Sequence, residues 1–265
     1  MSFFEYKPGD RMYIKSHLLE NSGMVSHGFS SRLGGASHGR ITGLNLGFRV
    51  NDDENSVMEN YRLLASDLEF SLDRTVLAKQ THTDNIRIVT DADMGKGITR
   101  TSDIEDTDGL VCNIPNIALI VFSADCVPVL LFDPVRTVVA AVHAGWRGTV
   151  KQIAAKCVQL MQSHYGSNPA DILAAVGPSI GPCCFEIGDD TVIHFNEKYV
   201  TKKTNGKYTA DLWAHNRDSL INAGLLQQNI DICGRCTVCE SDKFYSYRTH
   251  RDKTGRQTAV IMLKG

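Results

Sequence analysis

Three residues capable of chemistry sit at the ends of apolar runs. His82 follows the run TVLA within KQTHTDN, Cys126 interrupts VFSADCVPVLLF, and His143 ends VVAAV before AGWRG. One thiol and two imidazoles are good ligands for Zn²⁺. Three protein ligands leave a fourth position for water or substrate, the arrangement of catalytic rather than structural zinc. Copper suits the same donors. Two other readings stay open from the residues alone. Cys126 with a neighbouring histidine is also a nucleophile–base pair. A lone buried cysteine also serves as a small hydrophobe, and a strand-end histidine as a satisfied polar group.

Further candidates lie in the turn-rich segments. HGFSSRLGGASHGRITGLNLGFRVNDD has neither a dinucleotide-binding nor a phosphate-loop pattern, and reads as a surface loop or as an arm carrying Arg32 and Asn45 to a ligand. The arginine fork suits an anionic oxygen. Arg147 lies four residues after His143 at an expected helix start, where it could share an anion with backbone N–H groups. Glu186 in GPSIGPCCFEIG is a single loop carboxylate. Cys233, Cys236 and Cys239 form two overlapping CxxC steps. They read either as reduced thiols or as part of a structural zinc site completed by Cys183, Cys184 or His250.

Positioning these groups requires a folded core. The chain has 265 residues, 42% of them hydrophobic and 22% charged, which excludes a disordered polymer. Its 28 basic against 30 acidic residues give a net charge of −2, with no bulk attraction for nucleic acid or an anionic membrane. The basic–aromatic stretch FYSYRTHRDKTGRQ near the end therefore reads as a loop of the domain. No run spans a bilayer and the start is not a signal peptide, so the eight cysteines are expected as free thiols, ligands or nucleophiles in a cytoplasmic protein.

Non-alternating apolar runs at 75–78, 86–90, 117–122, 127–132, 137–142, 171–176 and 258–263 predict strands covered on both faces. The short turns between 117 and 142 predict antiparallel neighbours. Helices are expected over 54–70, over 149–165 with Gly166 as its stop, after a capping Asp189, and from a capping Asp211 to Gly224. Together these give an α/β protein (α+β in the strict sense): one domain over residues 1–265, three-layered, with helices on both faces of a mixed central sheet. The strand-end residues then converge on a crevice.

The ordered motifs HGFSSRLGG, LNLG, KQTHTDN, DTDGLV, SADCVPVLLFDP, AAVHAGWRGTV, GPSIGPCCFEIG and SYRTHRDKTGRQTAVI cover nearly the whole chain. In this order they resemble the bacterial YfiH/YlmD family, also called the polyphenol-oxidase or laccase-domain family and peptidoglycan editing factor. The resemblance implies an α/β three-layer fold and a shared zinc site at His82, Cys126 and His143. It implies phosphorolysis of adenosine, inosine and S-methyl-5′-thioadenosine, with adenosine deamination alongside. Purine nucleosides and phosphate are then the small-molecule partners, and the protein is expected as a monomer or homodimer. Arg32 and Arg147 become candidates for anion contact and Asn45 for a ribose or base hydrogen bond. Deamination needs a proton shuttle; the HxE glutamate of zinc deaminases is absent, leaving Asp125 or Glu186. The laccase name fits poorly, since nine histidines without one HxH pair do not supply a multicopper cluster. The alternatives are a cysteine hydrolase acting on cell-wall precursors, a copper-dependent phenol oxidase, and a metal-binding regulatory protein.

Overall fold

The computed structural model describes residues 2–265. Its strands, numbered along the chain, fall into two six-stranded mixed sheets and a small third one. The first sheet has the order β1-β2-β3-β15-β7-β4. Its strands are β1 (Phe3–Tyr6), β2 (Tyr13–Ser16), β3 (Val25–Ser30), β4 (Thr75–Leu77), β7 (Ala118–Ser123) and β15 (Gln257–Leu263). The second has the order β14-β10-β8-β9-β6-β5. It contains β5 (Ile86–Ile88), β6 (Gly109–Cys112), β8 (Val127–Asp133), β9 (Val138–Ala144), β10 (Leu173–Val176) and β14 (Ile230–Ile232). The third joins β11 (Glu186–Ile187), β13 (Tyr208–Ala210) and β12 (Val200–Lys202).

The helices are α1 (His17–Glu20), α2 (Glu54–Asp67), α3 (Trp146–Val150), α4 (Ile153–Tyr165), α5 (Asp189–Val192), α6 (Leu212–Asn222) and α7 (Tyr247–His250). Asp53 caps α2 by accepting from the Ser56 amide at 2.8 Å, and Asp211 caps α6 through the Ala214 amide at 2.9 Å. Gly166 closes α4 in the left-handed region at φ 70°. The expected 149–165 helix is broken: Gln152 at φ 60° separates α3 from α4. The N-cap of α5 is Gly188 rather than Asp189.

The α/β class with mixed sheets is as the sequence predicts, but there are two stacked sheets in place of one. Alternate residues of each strand explain why. Leu119 and Val121 of β7 pack between the sheets with Val139 and Ala141 of β9. Ala118 and Ile120 face Val57, Tyr61 and Leu64 of α2, while Val138, Ala140 and Val142 face Ile153, Cys157 and Met161 of α4. Each strand is thus apolar on both faces, whether the second cover is a helix or another sheet. Burying each large aliphatic side chain contributes about 1.5–3 kcal/mol, so both covers matter.

The three strands between residues 117 and 142 divide accordingly. β8 and β9 form an antiparallel hairpin, but β7 pairs with β15 and β4 in the other sheet. The chain therefore crosses between sheets at residues 124–126, and Cys126 sits at that corner.

Candidate metal centre

Asp108, just before β6, organises the centre. Its carboxylate accepts the backbone N–H groups of Thr81, His82 and Thr83 at 3.3, 3.1 and 2.7 Å, and the Thr83 hydroxyl at 2.8 Å. This wraps the loop after β4 around one buried anion and holds His82 at φ 64°. The same carboxylate reaches across the sheet to His143 of β9, with Oδ1 2.8 Å from Nδ1. The Asp108 carbonyl also accepts the His143 amide at 2.7 Å. With Nδ1 engaged, His143 presents Nε2 to an incoming ligand, the usual orienting role of a carboxylate behind a metal-binding histidine.

Cys126 comes from the crossing between sheets. Asp125 makes the turn at φ 91°, pinned by Thr237 Oγ1 at 2.7 Å and the Arg248 amide at 2.6 Å. Cys126 Sγ then lies 3.7 Å from His82 Nε2. One donor atom from each of His82, Cys126 and His143 lies within 4.8 Å of the others. Tetrahedral zinc, with bonds of about 2.0–2.3 Å, sets its ligand atoms roughly 3.3–3.8 Å apart, so the set fits one ion. Gly145 leaves the space: a Cβ there would sit 2.7 Å from His82 Cδ2 and 3.2 Å from Cys126 Sγ.

The charges are coupled. Burial pushes the Cys126 thiol up, but the His143 charge and hydrogen bonds from both histidines bring it down to about 6. Burial pulls His143 down, but Cys126 and Asp108 hold it at about 9. Asp108 resists its own burial through His143 and Thr83 and stays at about 2. Each group thus favours the charged form of the other. Such a pair is ready to bind a cation once His143 loses its proton, or to act as a nucleophile.

A cavity of about 720 Å³ opens from these three residues. Phe48, Phe122, Trp146, Phe185 and Tyr247 line its walls, with Lys79, Arg49, Arg100, Arg248 and Arg256 among them. Arg248 is committed to the Cys184 and Glu186 carbonyls at 3.2 and 3.1 Å. Arg256 is held through Nη1 by the Thr254 and Gly255 carbonyls at 3.3 and 3.0 Å. Of the lining residues the sequence singled out His82, Cys126, His143 and Asp125 as site candidates, while Tyr247, Arg248 and Arg256 fall in the basic–aromatic stretch that it read as a loop of the domain.

The anticipated substrate contacts are elsewhere. Arg32 bonds the Ser241 carbonyl and His250 Nε2 at 3.1 and 3.2 Å, over the Tyr245 ring. Its loop folds on itself instead of extending: at Gly43, φ 97°, a Cβ would lie 2.0 Å from the Arg32 carbonyl oxygen. Asn45 is buried and structural, accepting the Gly47 and Arg256 amides at 3.0 and 2.8 Å and donating to Asp52 at 2.6 Å. Arg147 is exposed and lies over the ring of Trp146, its guanidinium 4.2 Å from the ring centre, and α3 is a five-residue helix. None of the three lines the cavity. Of the two shuttle candidates, Glu186 pairs with Lys207 at 2.5 Å away from the cavity, and Asp125 lines it with both carboxylate oxygens engaged. No helix of the described residues is long and apolar enough to cross a membrane.

Fold and centre together define a mixed α/β protein with a thiol–imidazole cluster at the crossing of two stacked sheets. Residues 26–264 match the family described as multi-copper polyphenol oxidoreductase laccase, and the chain belongs to that family. It is 36% identical over 252 residues to a Bacillus subtilis protein named purine nucleoside phosphorylase YlmD, covering 92% of this chain and 91% of that one. It is 37% identical over 231 residues to adenosine deaminase RL5 of an unknown prokaryotic organism, covering 84% and 88%. The crystal structure of YlmD from Geobacillus stearothermophilus superimposes with a TM-score of 0.93 at 33% identity, covering both chains fully.

Proposed function

We propose that this chain is a zinc-dependent purine nucleoside phosphorylase acting on adenosine, inosine and S-methyl-5′-thioadenosine, with adenosine deamination as a side activity. One observation carries the reading: the His82, Cys126 and His143 donors converge at a 720 Å³ cavity walled by aromatic rings and bordered by arginines. That volume suits a small ligand. The aromatic walls suit a purine, and the cations suit phosphate. The names of the relatives point the same way.

In phosphorolysis a phosphate oxygen forms a bond to ribose C1′ while the C1′–N9 bond breaks and its electron pair leaves with the purine. The products are ribose 1-phosphate and the free base. The chain's own groups bind and orient. Arg256 and Arg49 draw phosphate to the cavity and offset its charge. Trp146 and Tyr247 offer ring faces to the purine and exclude water. His82, Cys126 and His143 would hold the metal, with Asp108 fixing the ring of His143. A bound Zn²⁺ would supply a Lewis acid and a template for phosphate or ribose oxygens.

The test is base release from inosine with and without phosphate. Hypoxanthine and ribose 1-phosphate forming only with phosphate is the expected result; equal release in phosphate-free buffer contradicts it. The Cys126 sulfur, 3.7 Å from His82 Nε2, supports a second reading, a Cys126 hydrolase acting on cell-wall precursors. It predicts activity that survives chelators and is lost on alkylation.

A further inference from the structure

We propose that Cys183, Cys184, Cys236 and Cys239 form a second metal site, a tetrathiolate that holds one structural zinc and staples two loops behind the cavity.

The sequence placed Cys233, Cys236 and Cys239 on one ladder, but the fold divides them. Cys233 leaves the group: its amide continues the sheet to the Val176 carbonyl at 2.9 Å and its side chain packs against the core between the sheets. Cys236 and Cys239 instead meet the adjacent pair Cys183–Cys184, more than fifty positions earlier in the chain. All four sulfurs lie within 4.8 Å of one another. Cys239 Sγ is 3.6 Å from Cys183 Sγ and 3.5 Å from Cys184 Sγ. A tetrahedron with Zn–S bonds of about 2.3 Å has edges of about 3.8 Å, so small adjustments close the site around an ion.

The surroundings do not suit packed thiols. Cys183 and Cys239 are exposed, so they gain little as small hydrophobes. Cys236 is buried, yet its sulfur accepts the Gly181 amide at 3.2 Å. Tetrahedral sulfur-only sets hold zinc or iron, and four cysteines closed around one ion are a usual structural zinc set.

The frame holding the four sulfurs is already rigid. Ser179 pairs in parallel with Cys236, its amide donating to the Arg235 carbonyl at 3.2 Å and its carbonyl accepting the Thr237 amide at 3.1 Å. Trp213 Nε1 donates to Ser179 Oγ at 2.6 Å, and its ring lies so close under Gly181 that a Cβ there would meet it at 2.7 Å. Both loops reach the cavity. Thr237, next to Cys236, pins Asp125 beside Cys126, and the Cys184 carbonyl holds Arg248. A zinc at the four sulfurs therefore fixes the corner that presents Cys126.

The site is read in Cys126→Ala, which removes a ligand of the first centre, so the result does not depend on that centre's occupancy. After dialysis against a weak chelator, this variant should retain one zinc per chain. X-ray absorption at the zinc edge should fit four sulfurs at about 2.3 Å and no nitrogen. Adding Cys239→Ser should abolish that zinc. If the double variant fails to fold, the absorption spectrum of Cys126→Ala decides alone. A Cys126→Ala chain without zinc, a zinc with nitrogen or oxygen ligands, or a Cys183–Cys239 or Cys184–Cys239 disulfide in the purified protein would each overturn the proposal.

Discussion

Asp108 Oδ1 lies 2.8 Å from His143 Nδ1, and the same carboxylate gathers the amides of Thr81, His82 and Thr83. One buried anion thus sets the position of two of the three donors of the candidate metal centre.

Asp108→Asn keeps the shape but replaces an acceptor oxygen by a donor, facing either the His143 ring or the loop amides. Changes behind a metal-binding histidine cost about 10–100-fold in metal affinity or activity. Titration of zinc into the chelated variant should show a loss in that range with the fold retained. Affinity and activity within twofold of the parent would remove Asp108 from the account.

Gly145 is at φ −62°, so alanine there meets no backbone penalty, and its methyl group strikes only the centre. Gly145→Ala should lower zinc affinity at least tenfold while the melting temperature moves by a few degrees. A variant with normal zinc binding would show that the donors do not need this space.

Arg256 and Arg147 separate the cavity from its outside. Arg256 lines the cavity, whereas Arg147 lies over Trp146 beyond the wall. Losing a charge-assisted hydrogen bond costs about 1.5–3 kcal/mol, or roughly ten- to a hundredfold. Arg256→Gln should raise KM for phosphate by at least tenfold, and Arg147→Gln by less than twofold. The reverse ranking in steady-state kinetics would restore Arg147 as the anion contact.

Asn45 belongs to stability. Asn45→Ala strands the buried Gly47 amide, leaves the Arg256 amide unpartnered, and frees Asp52. An unsatisfied buried group costs about 1–3 kcal/mol, and each kcal/mol lowers Tm by about 2–4 °C in a chain of this size. A melting curve unchanged from the parent would contradict the structural role.

The convergence of His82, Cys126 and His143 was legible because each sits as a lone polar residue at the end of an apolar strand, and strand ends converge. Asp108 was not singled out, although DTDGLV places a carboxylate directly before the buried strand Gly109–Cys112, the signal that would have marked it. Arg32, Asn45 and Arg147 were read by residue type, and type does not give direction: two fold inward or back onto their own loops, and the third turns outward. The strands at Tyr13–Ser16 and Val25–Ser30 went unread because their buried positions include polar residues. Ser26 donates to the Leu68 carbonyl, His27 Nε2 accepts the Ser16 amide and Ser30 Oγ accepts the Thr258 amide, contacts that exist only after folding, and His27 Nδ1 is left without a hydrogen-bond partner among the described residues. The second sheet was hidden because a strand covered by a helix and a strand covered by a sheet are equally apolar.

In the proposed mechanism the His82–Cys126–His143 centre performs the chemistry of nucleoside phosphorolysis. It is tested most directly by kcat/KM for phosphate-dependent cleavage of inosine in His143→Gln, measured alongside Tm. Glutamine keeps comparable bulk and hydrogen-bonding capacity but removes the imidazole. The expected result is at least a tenfold fall in kcat/KM, about 1.4 kcal/mol of transition-state stabilisation, with a Tm within a few degrees of the parent. An unchanged kcat/KM in a folded variant would contradict it.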